Sequence, residues 1–323
     1  MKAAMLMAYG SPDNHKIMDF PTPEPGPGQV RIKVAYAGLR FGDFYTLAGL
    51  FSASQPKPPF IPGQEISGVV DKLGLNVKNV KVGDRVGVSL SAGGFAEYAV
   101  APTTGLFSFI PDRCGLDQYL VYFINLRVAY LAVYTFGKVK DGEKVLVHAP
   151  VGGIGQMIIE ILRKRFKDIT IVAVTSSPEK MQRAKEIGAD YAINYKTTDY
   201  VKETLRLMGG RKIDVSFNGV GGSTMKVDAQ VIRPLGRWII HGFAAGVEPP
   251  AFSGYDSHTI IPFSILPVIM YAPAEFAKTT AFLDEWVSKE KLMDPVIYPI
   301  EKIAEAEKAL QSGASTGKIV FKI

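Results

Sequence analysis

From Lys144 onward, apolar runs of strand length alternate with segments of helical period, a grammar that points to a parallel sheet wound with helices. Strands are predicted at residues 144–149, 169–174, 191–193, 213–217 and 236–242, with a sixth inside 263–270. The helix after the second strand is the best punctuated. Ser177 stands as its N-cap, Pro178 occupies the first helical position, where a missing N–H costs nothing, and Gly188 follows its end. The apolar stretch 260–270 is interrupted by Pro262 and Pro267 and is too short to span a bilayer. It is expected to be a buried strand region.

Ala149-Pro150-Val151-Gly152-Gly153-Ile154-Gly155 joins the first of these strands to a helix expected over 156–165. Glycines at such a place let the backbone turn tightly and approach a diphosphate, while the free N–H groups at the helix start supply donors and a favourable dipole. The same pattern also makes a plain strand-to-helix turn. Its position at the head of five or six βα units favours dinucleotide binding, with Gly152, Gly153, Ile154 and Gly155 as contacts.

A site preferring NAD carries an acid about 20 residues beyond the glycines, to accept from the ribose 2′-hydroxyl. Here the second strand ends in Val174-Thr175-Ser176-Ser177, followed by Lys180 and Arg183. Hydroxyls and cations suit a 2′-phosphate, so NADPH is the expected cofactor, with Ser176 and Lys180 among its contacts. Helix capping by Ser177 and a solvated Lys180 would account for those two residues, but not for the missing acid.

The N-terminal third reads differently. Val30, Ile32 and Val34 alternate on one face of residues 29–36, four prolines from Pro21 to Pro27 forbid a preceding helix, and short runs follow at 67–73, 85–89 and 95–100. A compact β-barrel is expected. After the sixth strand come helices at 274–289 and 301–312 and a last strand at 317–323, whose partners must lie in the first domain. The expected organisation is therefore a discontinuous catalytic domain, 1–122 with 273–323, into which a Rossmann domain, 123–272, is inserted.

The 323 residues allow two cores, and a hydrophobic share of 47% with 21% charged residues is that of a globular chain. The single cysteine, Cys114, excludes an intramolecular disulfide and a four-cysteine zinc site and fits a reducing, cytoplasmic setting. No secretory signal or membrane anchor is read. The net charge of +6 permits a nucleic-acid partner, but the one basic cluster, Arg163 to Lys167, closes a helix, where cations complement the dipole. Nucleic acid is not the expected partner.

Phe60-Ile61-Pro62-Gly63-Gln64-Glu65-Ile66-Ser67-Gly68, Val82-Gly83-Asp84-Arg85-Val86, Gly94-Phe95-Ala96-Glu97-Tyr98, the glycine loop, Val220-Gly221-Gly222 and Gly317-Lys318-Ile319-Val320 together cover nearly the whole chain. In these the sequence resembles the medium-chain dehydrogenase/reductase superfamily, specifically its zinc-free, zeta-crystallin-like quinone oxidoreductases. The resemblance implies a Rossmann doubly wound parallel sheet inserted in a GroES-like β-barrel domain. It also implies NADPH-dependent hydride transfer to a quinone or an α,β-unsaturated carbonyl.

Zinc-dependent relatives place cysteine where Arg40 stands, histidine at Gln64 and cysteine near Ile124. None of the usual catalytic ligands remains. By the same resemblance Tyr195 packs near the adenosine end of the cofactor, Asn218, Val220 and Phe243 line its cleft, and Asp43 and Tyr45 stand beside the nicotinamide. Arg40 and Val128 replace the asparagine and threonine usual in relatives. Tyr45 and Arg40 are the candidate catalytic donors, and Phe51, Tyr130, Phe252 and Tyr271 join Tyr45 as pocket candidates. A homodimer pairing along the sixth strand is expected. Two other readings stand beside this one: a lipid-enone double-bond reductase of the same fold, and a cofactor-binding crystallin-like or RNA-binding protein with little turnover.

Overall fold

The computed structural model describes residues 1–50, 55–251, 255–313 and 315–323; Phe51 and Phe252, two of the pocket candidates, lie outside these. The chain divides into two compact units, Met1–Phe123 with Asp284–Ile323, and Ile124–Leu283.

The first unit opens with β1 (Lys2–Leu6), β2 (His15–Asp19), β3 (Gln29–Gly38), α1 (Gly42–Leu47), β4 (Glu65–Leu73), β5 (Arg85–Ser89), β6 (Tyr98–Pro102), β7 (Phe107–Phe109) and α2 (Leu116–Tyr122). The second contains α3 (Asn125–Tyr130), β8 (Lys144–His148), α4 (Gly153–Arg165), β9 (Thr170–Thr175), α5 (Pro178–Ile187) and β10 (Tyr191–Asn194). It continues through α6 (Tyr200–Leu207), β11 (Ile213–Asn218), α7 (Thr224–Val227), β12 (Ile232–Ile240), β13 (Thr259–Pro262) and α8 (Ile265–Tyr271). The changeover falls within α9 (Pro273–Lys289), after which β14 (Val296–Pro299), α10 (Ile303–Gln311) and β15 (Ile319–Lys322) complete the first unit.

β3 organises the first unit's seven-stranded sheet. One edge pairs with β4, while the other is shared, with β6 against residues 29–33 and β15 against residues 36–38. The alternation seen in the sequence is the cause: Val30, Ile32 and Val34 all point into the core formed with Ile66, Val86, Phe95 and Phe321.

The second unit's sheet has the order β10-β9-β8-β11-β12-β13, and every pairing is parallel. The winding reverses between β8 and β11, so the loops at the carboxyl ends of those two strands border a crevice, the place where doubly wound sheets hold ligands. Leu146, Val172, Val174, Ile193 and Trp238 form its core with α6 and the turn before β12.

The sixth strand departs from the sequence reading. It occupies Thr259–Pro262, and the stretch expected as strand is instead the helix α8, begun by Ser264, whose hydroxyl accepts from the Leu266 amide. Pro267 falls in the first turn, where its missing N–H interrupts no bond. Apolar composition misled as to burial. Of this helix Val268 is buried, whereas Leu266, Met270 and Tyr271 are exposed.

Among the described residues one helical run, Leu116–Phe136, is long and apolar enough to cross a membrane, but 78% of its most apolar stretch is buried inside the fold. Its length thus reflects core packing.

Trp238 is fully buried at the centre of the second unit's core. Trp238→Ala is expected to cost ~3–5 kcal/mol. A denaturation midpoint for that unit's transition moved by less than a quarter of this would show that the core closes around the gap.

Candidate functional site

The glycine loop begins at Ala149, which sits at φ 49 and turns the chain sharply off β8. Gly152 caps α4 without any side-chain bond, and the first turn carries no acid. By contrast α5 and α6 are capped by Ser177 and Asp199. A Cβ at Gly155 would stand 2.2 Å from the Ala149 carbonyl oxygen, so only glycine lets α4 begin this close to the strand end. The Gly152 amide donates to the Ala149 carbonyl at 3.0 Å, and no side-chain cap supplies an acceptor for the amides of Gly153, Ile154 and Gly155 that follow.

At the end of β9, Ser176 is half-buried and Ser177 Oγ accepts from the Lys180 amide at 3.3 Å. The parallel pairing sets Asn194 against Thr175, and the Tyr195 amide donates to the Thr175 carbonyl at 3.0 Å. This brings Tyr195, 52% exposed, and its neighbour Lys196 beside the Ser176 turn. Burial, then the charge of Lys196, lowers the Lys180 ammonium below its usual range. The two cations thus stand close enough for each to feel the other's charge. Sequence reading singled out Lys180 and not Lys196, which stands two residues beyond Asn194, the ladder partner of Thr175.

At the end of β11, Asn218 is fully buried and turns inward rather than toward a ligand. Its Oδ1 accepts from the Val220 and Gly221 amides at 2.9 and 3.0 Å, and its Nδ2 donates to Thr224 and Asp228. Gly221 and Gly222, at φ 68 and 53, press against the backbone of residues 245 and 246. Val220 and Phe243 are half-buried on these two strand-end loops, joined by the Ala245 amide donating to the Val220 carbonyl at 2.7 Å.

Beneath the loops lies Asp228, which sequence reading did not single out. Its buried carboxylate accepts from Tyr200, Ser216 and Asn218, and His148 Nε2 lies 2.9 and 3.0 Å from its two oxygens. Burial alone would raise this carboxyl; the charge and hydrogen bond of His148, with those of Tyr200 and Asn218, outweigh it and hold the group below the usual range. Nearby His241 has a ring nitrogen, Nε2, without solvent or partner, and burial followed by the charge of His148 pushes it down to about 4. His148 and His241 are thus packing and network groups, and no cluster that could hold a metal ion occurs among the described residues.

In the first unit Arg40 follows β3. Its amide donates to Asp43 Oδ2 at 2.7 Å and its guanidinium donates to Gln64 Oε1, while Gln64 Nε2 donates to Thr46 Oγ1 at 3.1 Å. Asp43 is buried, which pushes its carboxyl up to about 6 against the opposing charge of Arg40. Two of the positions that hold zinc ligands in zinc-dependent relatives are thus tied to each other as guanidinium and amide. A guanidinium has no lone pair to give, so this donor set does not fit zinc. Tyr45, on α1, is 36% exposed with its ring 6.4 Å from that of Phe41. Tyr130 instead packs against Tyr134 and Phe282, and Tyr271 is 83% exposed on α8.

The chain is similar to known proteins in sequence and fold. Residues 26–112 match the alcohol dehydrogenase GroES-like domain and residues 153–285 the zinc-binding dehydrogenase family. A probable quinone oxidoreductase of Schizosaccharomyces pombe is 31% identical over 311 residues, 93% of this chain and 90% of that protein. The crystal structure of a Pseudomonas syringae pv. tomato quinone oxidoreductase has a TM-score of 0.88 at 28% identity, covering 100% of this chain and 99% of the other. A mycobacterial protein complexed with NADPH has a TM-score of 0.87 at 25% identity, with 100% of both chains covered.

The depressed histidine and carboxylate set a pH dependence. For both groups the unfolded chain binds protons before the folded one, so stability present at neutral pH is lost as pH falls. His241 acts first, between its ordinary 6.5 and about 4, at up to ~1.4 kcal/mol per pH unit. The thermal midpoint should fall through that window, and His241→Gln should flatten the fall. A midpoint in the variant that tracks the parent across the same pH range would refute it.

Proposed function

Because the chain belongs to the zinc-free quinone oxidoreductases of the medium-chain dehydrogenase/reductase family, and is an oxidoreductase of that type, we propose that it binds NADPH and reduces a quinone or an α,β-unsaturated carbonyl compound. The observation that carries this is the uncapped start of α4 at a sheet switch point, with Lys180 and Lys196 at the neighbouring strand ends. The mycobacterial relative's complex with NADPH supports the choice of nucleotide.

When bound, the reduced nicotinamide supplies the hydride. The chain's own residues do the rest. The Gly153, Ile154 and Gly155 amides grip the diphosphate, where the helix dipole favours negative charge. The Ser176 hydroxyl, Lys180 and Lys196 receive the 2′-phosphate, and the exposed Tyr195 ring covers the adenosine end. Asn218 acts from below, holding the amides of Val220 and Gly221 and so the loop that borders the nicotinamide end with Phe243. Tyr45 and Arg40 supply the donors that meet negative charge as it develops on the carbonyl oxygen, a task that needs positioned dipoles and no nucleophile.

The protein works as a cytoplasmic homodimer in this reading. β13 is an edge strand, and the exposed Leu266, Met270 and Tyr271 of α8 give a second copy apolar surface beside it. Small-angle scattering that returns a monomer mass at micromolar concentration would remove the dimer.

Two substitutions test the enzyme. Lys180→Ala should weaken NADPH by ~1.5–3 kcal/mol, the worth of a charge-assisted hydrogen bond, while leaving NADH nearly unchanged; equal loss for both nucleotides contradicts the phosphate assignment. Tyr45→Phe should lower kcat/KM about tenfold with enones and quinones alike, the worth of one hydrogen bond to the transition state. Unchanged turnover with every acceptor takes the phenol out of the chemistry.

A further inference from the structure

We propose that the open edge of the Arg40 guanidinium is a carboxylate-binding subsite, so that the preferred acceptors are α,β-unsaturated carbonyl compounds bearing an acid group rather than neutral quinones. The inference rests on the reductase reading above and narrows its substrate class.

Arg40 is held like a binding group and neutralised like none of its peers. Part-buried arginines elsewhere in the chain meet acids directly: Arg31 with Asp71 and Glu24, Arg233 with Asp214, Arg237 with Glu143. Arg40, half-buried, has no carboxylate at ion-pair distance among the described residues. Its one side-chain partner is the neutral amide of Gln64, itself buried and anchored on Thr46. Its Nε–H has neither partner nor solvent. The buried Nε–H is closed to a ligand, so an incoming carboxylate would meet the terminal N–H groups of the guanidinium, whose planar fork offers two parallel bonds.

The surrounding charges choose the anion. Asp43 gives Oδ2 to the Arg40 amide rather than to the guanidinium, and feels Arg40, Glu307 and Lys318 as charges. Lys318 is itself spent on Glu65. With the Asp43 carboxylate close by, a dianion such as a phosphate monoester is disfavoured, and a singly charged carboxylate is the better fit. With acceptors of this class Arg40 takes the acid group, which the reaction leaves unchanged, instead of the carbonyl oxygen, and that oxygen falls to Tyr45.

The test uses trans-3-benzoylacrylate and its methyl ester, which share alkene and ketone and differ in charge. The full-length enzyme with NADPH should prefer the acid by ~10–100-fold in kcat/KM, the worth of a charge-assisted pair. Arg40→Met should bring that ratio close to one, and Arg40→Lys, which keeps the charge and loses the planar fork, should fall between. The lysine variant gives the same reading should the methionine variant not fold. Calorimetry supplies a readout without turnover: the saturated 3-benzoylpropionate should bind the NADP+ complex at least tenfold more tightly than its ester, and Arg40→Met should abolish the difference. Equal use of acid and ester by the parent protein overturns the proposal, as does a preference that survives in Arg40→Met, or acetate displacing the keto acid at equal concentration. Quinone reduction without an acid preference defeats this inference alone. Retention of the keto acid by a protein that oxidises no NADPH leaves the subsite and defeats the reductase reading.

Discussion

The contact between the first turn of α4 and the end of β8 is the constraint on which the second unit is built. A hydrogen atom at Gly155 faces the Ala149 carbonyl oxygen where any side chain would overlap it. The helix can therefore start directly at the strand's carboxyl end, and its amides converge on the switch point between β8 and β11. Ala149, at positive φ without being glycine, carries the strain of the turn. Asn125 lies against Gly153 from α3 and leaves no room for a larger residue there either. Backbone packed on backbone at Gly155, with the Asn125 side chain against Gly153, shapes this helix start.

Much of this was legible in the sequence because it is local. The Ser177-Pro178 start and Gly188 end of α5 are short-range signals, and the structure has that helix at Pro178–Ile187 with Ser177 as its cap. The alternation of Val30, Ile32 and Val34 gave β3 its buried face. What escaped was whatever depends on the third dimension. Lys196 becomes a neighbour of Lys180 only because Asn194 pairs with Thr175, and Asp228 meets His148 across eighty residues of chain. Neither pairing leaves a mark at fixed spacing. The reading of 260–270 as buried strand held for the strand at 260–262 and failed beyond it for another reason: hydrophobicity reports what a segment can cover, and at α8 nothing within the described residues covers Leu266, Met270 or Tyr271.

The candidate residues divide by what their side chains are free to do. Asn218 has both ends of its amide committed inside the protein, so its influence on a ligand passes through the amides of Val220 and Gly221. Asp228, Tyr200, Ser216 and His148 form one polar cluster under the strand ends, where each donor finds the same carboxylate. Such a cluster is costly to bury and costlier to break, since removing the acid would strand several donors at once. Arg40 is the opposite case, fixed in place by Asp43 and Gln64 with most of its donors uncommitted.

The long edge of β3 is completed by a strand that comes from far along the chain. Until Ile319–Lys322 emerge, the half of β3 facing β15 presents bare N–H and C=O groups, even though β4 and β6 are already available. The parallel sheet of the second unit, whose strands all lie before residue 263, has no such wait. Vectorial synthesis therefore lets the parallel sheet mature first, while the sheet around β3 stays half-finished and sticky until β15 has been made.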